Sequence, residues 1–233
     1  IIMSFSTLGF AKQFYSSNFE KDTIGSPPAG WELGFKGAGN AKVIADPLDA
    51  KNKIFAPTDL AKDKARHDVG GNIWVVGAAT MQDYIAEYDA YFPEDFYIGT
   101  LFRFNSENAF YLLDRRSAGE LGNFDFWKRD GGNWTKLGTG KFDAQPQKWY
   151  RFRIVVKGDT LDAYAKAKSD TTSFDSMKPI LSGKDAGFKT GKFGLYGLIY
   201  IDNIAIGEAV SDLVITSVEP NSKLSTTWGE IRK

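Results

Sequence analysis

Trp149-Tyr150-Arg151-Phe152-Arg153-Ile154-Val155-Val156-Lys157 is the stretch on which the fold turns. Its even-numbered residues, Tyr150, Phe152, Ile154 and Val156, are all large and apolar, whereas the odd-numbered set holds Arg151, Arg153 and Lys157. A period of two marks an extended strand with one face against a core and the other toward water or a ligand. A helix would repeat its apolar residues every three or four positions, and that pattern is almost absent from the chain.

The same texture recurs outward from this run, at residues 84–92, 97–105, 108–115, 124–129, 161–165, 192–198 and 200–206. These β-branched and aromatic segments are separated by Gly, Pro, Asn and Asp. Asp130-Gly131-Gly132-Asn133, Gly158-Asp159 and Asn105-Ser106-Glu107-Asn108 have the composition of hairpin turns, and Gly37-Ala38-Gly39-Asn40 is a further turn candidate. Strands spaced by roughly 8–12 residues predict an all-β fold of two packed antiparallel sheets. Alternation places Phe102 and Phe104 in the core, with Leu101, Arg103 and Asn105 on the opposite face.

Composition bounds what such a fold can do. With 233 residues, 42% of them apolar and 25% charged, the chain can bury a large core and stand without covalent staples. The absence of cysteine excludes disulfides, thiolate metal sites and cysteine nucleophiles. Lys and Arg number 29 and Asp and Glu 29, so there is no broad positive field and nucleic acid is not an expected partner. The single histidine, His67, sits in a charged stretch, 57–72, read as a long surface loop or short exposed helix; multi-histidine metal sites are excluded. No glycine-rich loop leads into a helix, so no nucleotide cofactor is expected.

The ends differ from the middle. The apolar run 1–10, with small residues Gly9 and Ala11 two apart, resembles the back of a secretory signal and is too short to span a bilayer. Residues 1–13 are therefore read as a leader remnant or an edge segment, and the protein is expected to be secreted or displayed at a cell surface. Residues 14–208 form the domain, and 209–233, with a lone Trp228, read as a linker and tail. Both ends are candidates for self-assembly.

Several pieces, in order, resemble the concanavalin A-like lectin/glucanase superfamily in its laminin G-like branch. Phe19-Glu20-Lys21-Asp22, followed by Ser26-Pro27-Pro28-Ala29-Gly30-Trp31, looks like the family's opening strand and its turn. Residues 96–104 and then Asn108-Ala109-Phe110-Tyr111-Leu112 are similar to its hairpin; 132–137, 147–153 and 156–161 resemble the strands that follow. Gly191-Lys192-Phe193-Gly194-Leu195-Tyr196 and Tyr200-Ile201-Asp202-Asn203-Ile204-Ala205-Ile206 look like its closing pair. The resemblance spans about residues 14–207 and implies a two-sheet antiparallel jelly-roll sandwich that recognises a polysaccharide or other glycan on its concave sheet. It also implies a structural Ca²⁺ tying the first strand to the last, with Glu20, Asp22 and Asp202 in the matching segments.

Members that hydrolyse polysaccharides usually carry Glu-x-Asp-x-x-Glu on one strand. Here Glu87-Tyr88-Asp89-Ala90-Tyr91-Phe92 has the first two carboxylates and a phenylalanine in the third place. Lyase members typically use a strand histidine, which this chain does not offer. The reading is therefore a non-catalytic lectin-like module. A glycoside hydrolase or lyase using Glu87, Asp89 or Asp125, and a structural or adhesive surface protein, are the alternatives. Sugar binding asks for an aromatic ring to cover a pyranose face and bidentate groups for hydroxyl pairs. The outward candidates are Arg103, Arg115, Asp125, Trp127, Arg151, Arg153 and Tyr164, with Asp162 beside them. Arginines gathered on one face would favour an acidic or hydroxyl-dense glycan.

Overall fold

The computed structural model describes residues 12–35, 40–57, 73–94, 98–116 and 122–215. The leader-like run, most of the 37–40 turn candidate, the stretch 58–72 with His67, and the tail from 216 onward lie outside the described residues. In chain order the strands are β1 (Gln13–Ser17), β2 (Trp31–Phe35), β3 (Ala41–Ala45), β4 (Lys53–Pro57), β5 (Ile73–Val76), β6 (Tyr84–Tyr91), β7 (Ile98–Ser106) and β8 (Ala109–Arg115). They continue as β9 (Asn123–Asp130), β10 (Asn133–Lys141), β11 (Trp149–Lys157), β12 (Thr160–Ala167), β13 (Leu181–Lys184), β14 (Lys192–Tyr196) and β15 (Tyr200–Gly207). Two 3₁₀ turns, Phe174–Ser176 and Val210–Asp212, are the only helical pieces among the described residues.

These strands form two antiparallel sheets. One runs β13-β12-β11-β6-β15-β4-β3, with β1 added alongside β15; the other runs β10-β9-β8-β7-β14-β5-β2. Successive residues face opposite sides, so each sheet sends one set of side chains into a shared interior. From the β6 sheet come Tyr88, Phe152, Ile154 and Ile201; from the β8 sheet come Phe102, Tyr111, Phe126 and Phe193. Inside, the Tyr88 hydroxyl meets the Thr100 hydroxyl at 2.8 Å, a fully buried hydrogen bond from one sheet to the other. One flank closes where the edge strands β10 and β13 approach so tightly that a Cβ on Gly140 would collide with the Ile180 carbonyl oxygen.

The predicted hairpins form at the predicted turns: Gly131 and Gly132 both take positive φ (56° and 90°) between β9 and β10, and Gly158 (57°) does so between β11 and β12. Two sequence expectations need correction. Phe19 to Asp22 is a turn after β1, not a strand; Phe19 turns at φ 57° and drops its ring into the core. Phe104 does not face the interior with Phe102. The β7–β8 register shifts between Phe102 and Ser106, Arg103 adopts φ 47°, and the extra residue carries Phe104 to the outer side beside Leu101.

The ends of the described chain hold to each other. The Gln13 side-chain amide donates to the Asp212 and Val214 carbonyls at 2.9 and 2.7 Å, and Glu208 N–H donates to the Lys12 carbonyl. Residues 209–215 thus pack back on the first strand.

Candidate functional site

The outer side of the β6 sheet collects what alternation expels from the core: Trp149, Arg151 and Arg153 from β11, Glu87, Asp89 and Tyr91 from β6, and Tyr200 and Asp202 from β15. Register lines them into rows. Trp149 lies opposite Tyr91, which lies opposite Tyr200; Arg151 opposite Asp89, opposite Asp202; and Arg153 opposite Glu87. On β12, Tyr164 pairs with Arg153. An aromatic row therefore runs beside two charged rows on one face.

The charged rows are joined without a break. Arg151 forks between Asp89 Oδ1 and Glu87 Oε2, both at 3.0 Å. Arg153 donates through Nε to Glu87 Oε1 at 2.7 Å and through Nη1 to Asp175 at 2.5 Å. Burial alone would lower the affinity of Arg153 for its proton, but its bonds to Asp175 and Glu87 outweigh burial and raise it. Asn203 sits at a bulge between Asp202 and Ala205 with φ 46°, so its amide reaches back to Asp89 Oδ2 at 2.9 Å and Asp202 Oδ2 at 3.0 Å. Asn52 continues the chain, donating to Asp202 Oδ2 at 3.0 Å and Asp46 Oδ2 at 3.2 Å. Burial pushes the Asp202 carboxyl up to about 6, against the pull of the amides around it.

The rings of the aromatic row pack against one another. Tyr91 stacks on Tyr200 with centroids 5.5 Å apart, and Trp149 tilts against Tyr91 at 5.4 Å. The Trp149 indole N–H donates to Asp46 Oδ1 at 3.3 Å. Over its ring lies the Lys168 ammonium, 4.8 Å from the centroid, which also touches Asp89 Oδ2 at 3.0 Å and Asp202 Oδ2 at 3.9 Å.

The seven sugar candidates do not share one surface. Arg151, Arg153 and Tyr164 meet on the face just described; Asp125 and Trp127 lie on the far side of the sandwich, on the outer side of the β8 sheet. Asp125 is bound by Lys136 at 2.8 Å, Arg116 at 3.2 Å and Thr139 at 2.6 Å. Trp127 is capped by the Arg116 and Lys136 cations and meets Trp134 edge to face. Arg103 and Arg115 are not outward at all. Arg103, 1% exposed, uses its fork to hold the carbonyls of Gln82, Gly158 and Phe188. Arg115 shares the inward parity of Tyr111 and Leu113, donates to the Ala144 carbonyl at 2.8 Å and lies over the Phe92 ring. Trp149 and Tyr91 are not among the sequence candidates; the signal that could have found them is parity, which Trp149 shares with Arg151 and Tyr91 with Asp89. Lys168, Asn203 and Asn52 gave no signal, since turns, bulges and cross-strand neighbours set their places.

The three carboxylates expected to bind Ca²⁺ serve separate partners. Glu20 accepts from Lys53 N–H at 2.8 Å, Asp22 from Ala29 N–H at 2.9 Å, and Asp202 from the two asparagines. Among the described residues no three Asp, Glu or His side chains gather as a metal cage would require. Nor do Glu87 and Asp89 stand free as an acid and base: all four of their oxygens accept from Arg151, Arg153, Asn203 or Lys168.

No family model matches the chain, and no curated protein does. Solved structures do. The carbohydrate-binding module CBM66 from Bacillus subtilis superposes with a TM-score of 0.54 at 16% identity, over 79% of this chain and 99% of that one. Domain 4 of AbnA, a GH43 extracellular arabinanase from Geobacillus stearothermophilus solved with arabinotriose, gives 0.54 at 12% identity, over 87% and 97%. A family 16 glycosyl hydrolase protein from Mycobacterium smegmatis gives 0.52 at 14%, over 82% and 98%. At these identities the likeness is one of fold, and the fold is the concanavalin-type jelly-roll sandwich.

Proposed function

We propose that this protein is a secreted, non-catalytic glycan-binding module of the laminin G-like kind, and that it binds on the outer face of the β6 sheet. The observation that carries the reading is the aromatic row through Trp149 running beside arginines already oriented by carboxylates. Arg151 is fixed by Glu87 and Asp89 yet keeps Nε and further N–H groups with no partner among the described residues. The Tyr164 hydroxyl likewise has no hydrogen-bond partner among them. Trp149 to Arg153 spans four residues of strand, about 13 Å at about 3.3 Å per residue, which suits an oligosaccharide better than a single ring. The superposed CBM66 and the arabinotriose-bound AbnA domain support the reading as modules of the same fold. Secretion rests on the leader-like amino-terminal run.

Affinity electrophoresis and titration calorimetry against neutral and acidic polysaccharides test this. Retarded migration in at least one neutral polysaccharide is expected, weakened at least about tenfold by Arg151→Ala or Trp149→Ala at unchanged fold, the size of one well-placed contact. The proposal fails if no glycan binds, or if a bound glycan ignores both substitutions.

A further inference from the structure

The position where a sugar ring would lie on Trp149 is taken by the chain's own Lys168. This lysine follows β12 at a turn, its backbone N–H held by the Trp149 carbonyl at 3.3 Å, while its side chain is 38% exposed and reaches back across the indole. The ammonium there does the two things a sugar would do. It covers the ring face 4.8 Å from the centroid, and it presents polar hydrogens to Asp89 Oδ2 and Asp202 Oδ2, two oxygens that one Asn203 amide also bridges.

Resting on the glycan-binding reading above, we propose that Lys168 is a built-in competitor, and that the ligand which displaces it is an uncharged sugar with a vicinal hydroxyl pair. The apolar ring face replaces the ammonium on Trp149, and the two hydroxyls donate to Asp89 and Asp202 in its stead. The anchor of Lys168 is its backbone, so its flexible side chain is free to swing into water. Charge sets the class of ligand. Asp89 and Asp202 face the position, and Arg151 is already divided between Asp89 and Glu87. A uronate or sulfate entering as Lys168 leaves would face carboxylates and no uncommitted cation among these residues, which is a like-charge contact. The face therefore selects neutral glycans, although the arginines alone point toward acidic ones.

The test combines calorimetry with a probe on the lysine. Wild type, Lys168→Ala and Lys168→Gln are titrated with arabinan, xylan and mixed-linkage β-glucan, and with polygalacturonate and alginate. For a neutral polysaccharide that the wild type binds, both variants should bind about two- to fivefold more tightly, the factor set by one partly exposed cation–π contact. Acidic polysaccharides should stay unbound by all three. Because a variant could perturb the paired carboxylates, the wild-type protein is also reductively ¹³C-methylated, and the Lys168 dimethylammonium resonance should move on saturation with that glycan. An unmoved resonance, unchanged or weaker binding by both variants, or preferential binding of an acidic glycan overturns the competitor while leaving glycan binding by the module standing. Absence of binding to any glycan overturns both.

Discussion

Replacing Arg103 by methionine removes a guanidinium that joins three loops while keeping most of its length and apolar stem. Its Nε and Nη2 donate to Gln82 O at 3.1 and 3.0 Å, and Nη1 donates to Gly158 O and Phe188 O at 2.8 and 2.9 Å. These carbonyls belong to the lead-in to β6, the β11–β12 turn and the loop before β14, which the substitution leaves without donors. The remaining contact, to Asp83 at 3.2 Å, is an ion pair whose acid side is 54% exposed, so it adds less than about 1 kcal/mol. Losing several charge-assisted bonds from a buried group costs about 3–5 kcal/mol. For a domain of this size that lowers the melting temperature by about 10 °C. Urea denaturation followed by tryptophan fluorescence gives the free energy, and Asp83→Asn serves as the control with a loss below about 1 kcal/mol. Arg103→Lys should recover little, since one ammonium cannot reach carbonyls on both sides of the fork. The clamp is refuted if Arg103→Met costs less than about 1 kcal/mol, or if Asp83→Asn costs as much, which would make the exposed ion pair the source of stability.

The buried carboxyl of Asp202 makes a linkage prediction. Its folded value of about 6 lies above the ordinary 3.8, so the native state holds a proton the unfolded chain has released. Its contribution to stability is full below about 3.8 and is lost as pH rises through about 6, amounting to about 3 kcal/mol at about 1.4 kcal/mol per tenfold change in proton affinity. Wild type should therefore lose about that much relative to Asp202→Asn between about pH 3.5 and 7.5 in urea titrations. A pH-independent difference would sink the assignment, because Asp170 and Asp185, whose carboxyls are lowered and act in the opposite sense, titrate alike in both proteins. At the closed flank, Gly140→Ala should destabilise by about 1–3 kcal/mol through overpacking against β13. Scanning calorimetry would show a loss near zero if β10 and β13 did not meet as described.

Much of the sandwich was legible because alternation is a local signal. Strands at 84–91, 98–106, 109–115, 149–157 and 200–207 fall within a residue or two of where two-residue periodicity puts them. The same rule failed where one residue was inserted. The bulge at Arg103 reversed the parity of Phe104. Arg115 obeys alternation, inward with Tyr111 and Leu113, where it holds the chain near Ala144; its charge, not its parity, suggested the outer face. Alternation also cannot say which sheet a strand joins. Asp125 and Arg151 are both outward, yet they stand on opposite faces of the molecule because β9 and β11 belong to different sheets. Sheet membership follows from long-range pairing, which no local window contains.

That division decides between the two outer faces. On the outer side of the β8 sheet Asp125 is held by Arg116, Lys136 and Thr139, cations lie over Trp127 and Trp134, and Leu101, Phe110, Leu112 and Tyr196 form a buried apolar patch. On the β6 sheet a continuous line runs from Asp46 through Asn52, Asp202, Asn203, Asp89, Arg151, Glu87 and Arg153 to Asp175. Well-packed apolar residues often match or exceed the stability of such buried ionic networks, so stability alone gives no reason for so many charges on one sheet. A network of this kind fixes side-chain directions, because moving one member strands its neighbours without partners. What it fixes here is the N–H edge of Arg151 that has no partner among the described residues, beside the Trp149 ring two positions along the same face of β11. A rigid donor beside a rigid ring is what a hydroxyl-covered ligand needs, since each sugar contact is weak and affinity is lost if the protein must first be ordered.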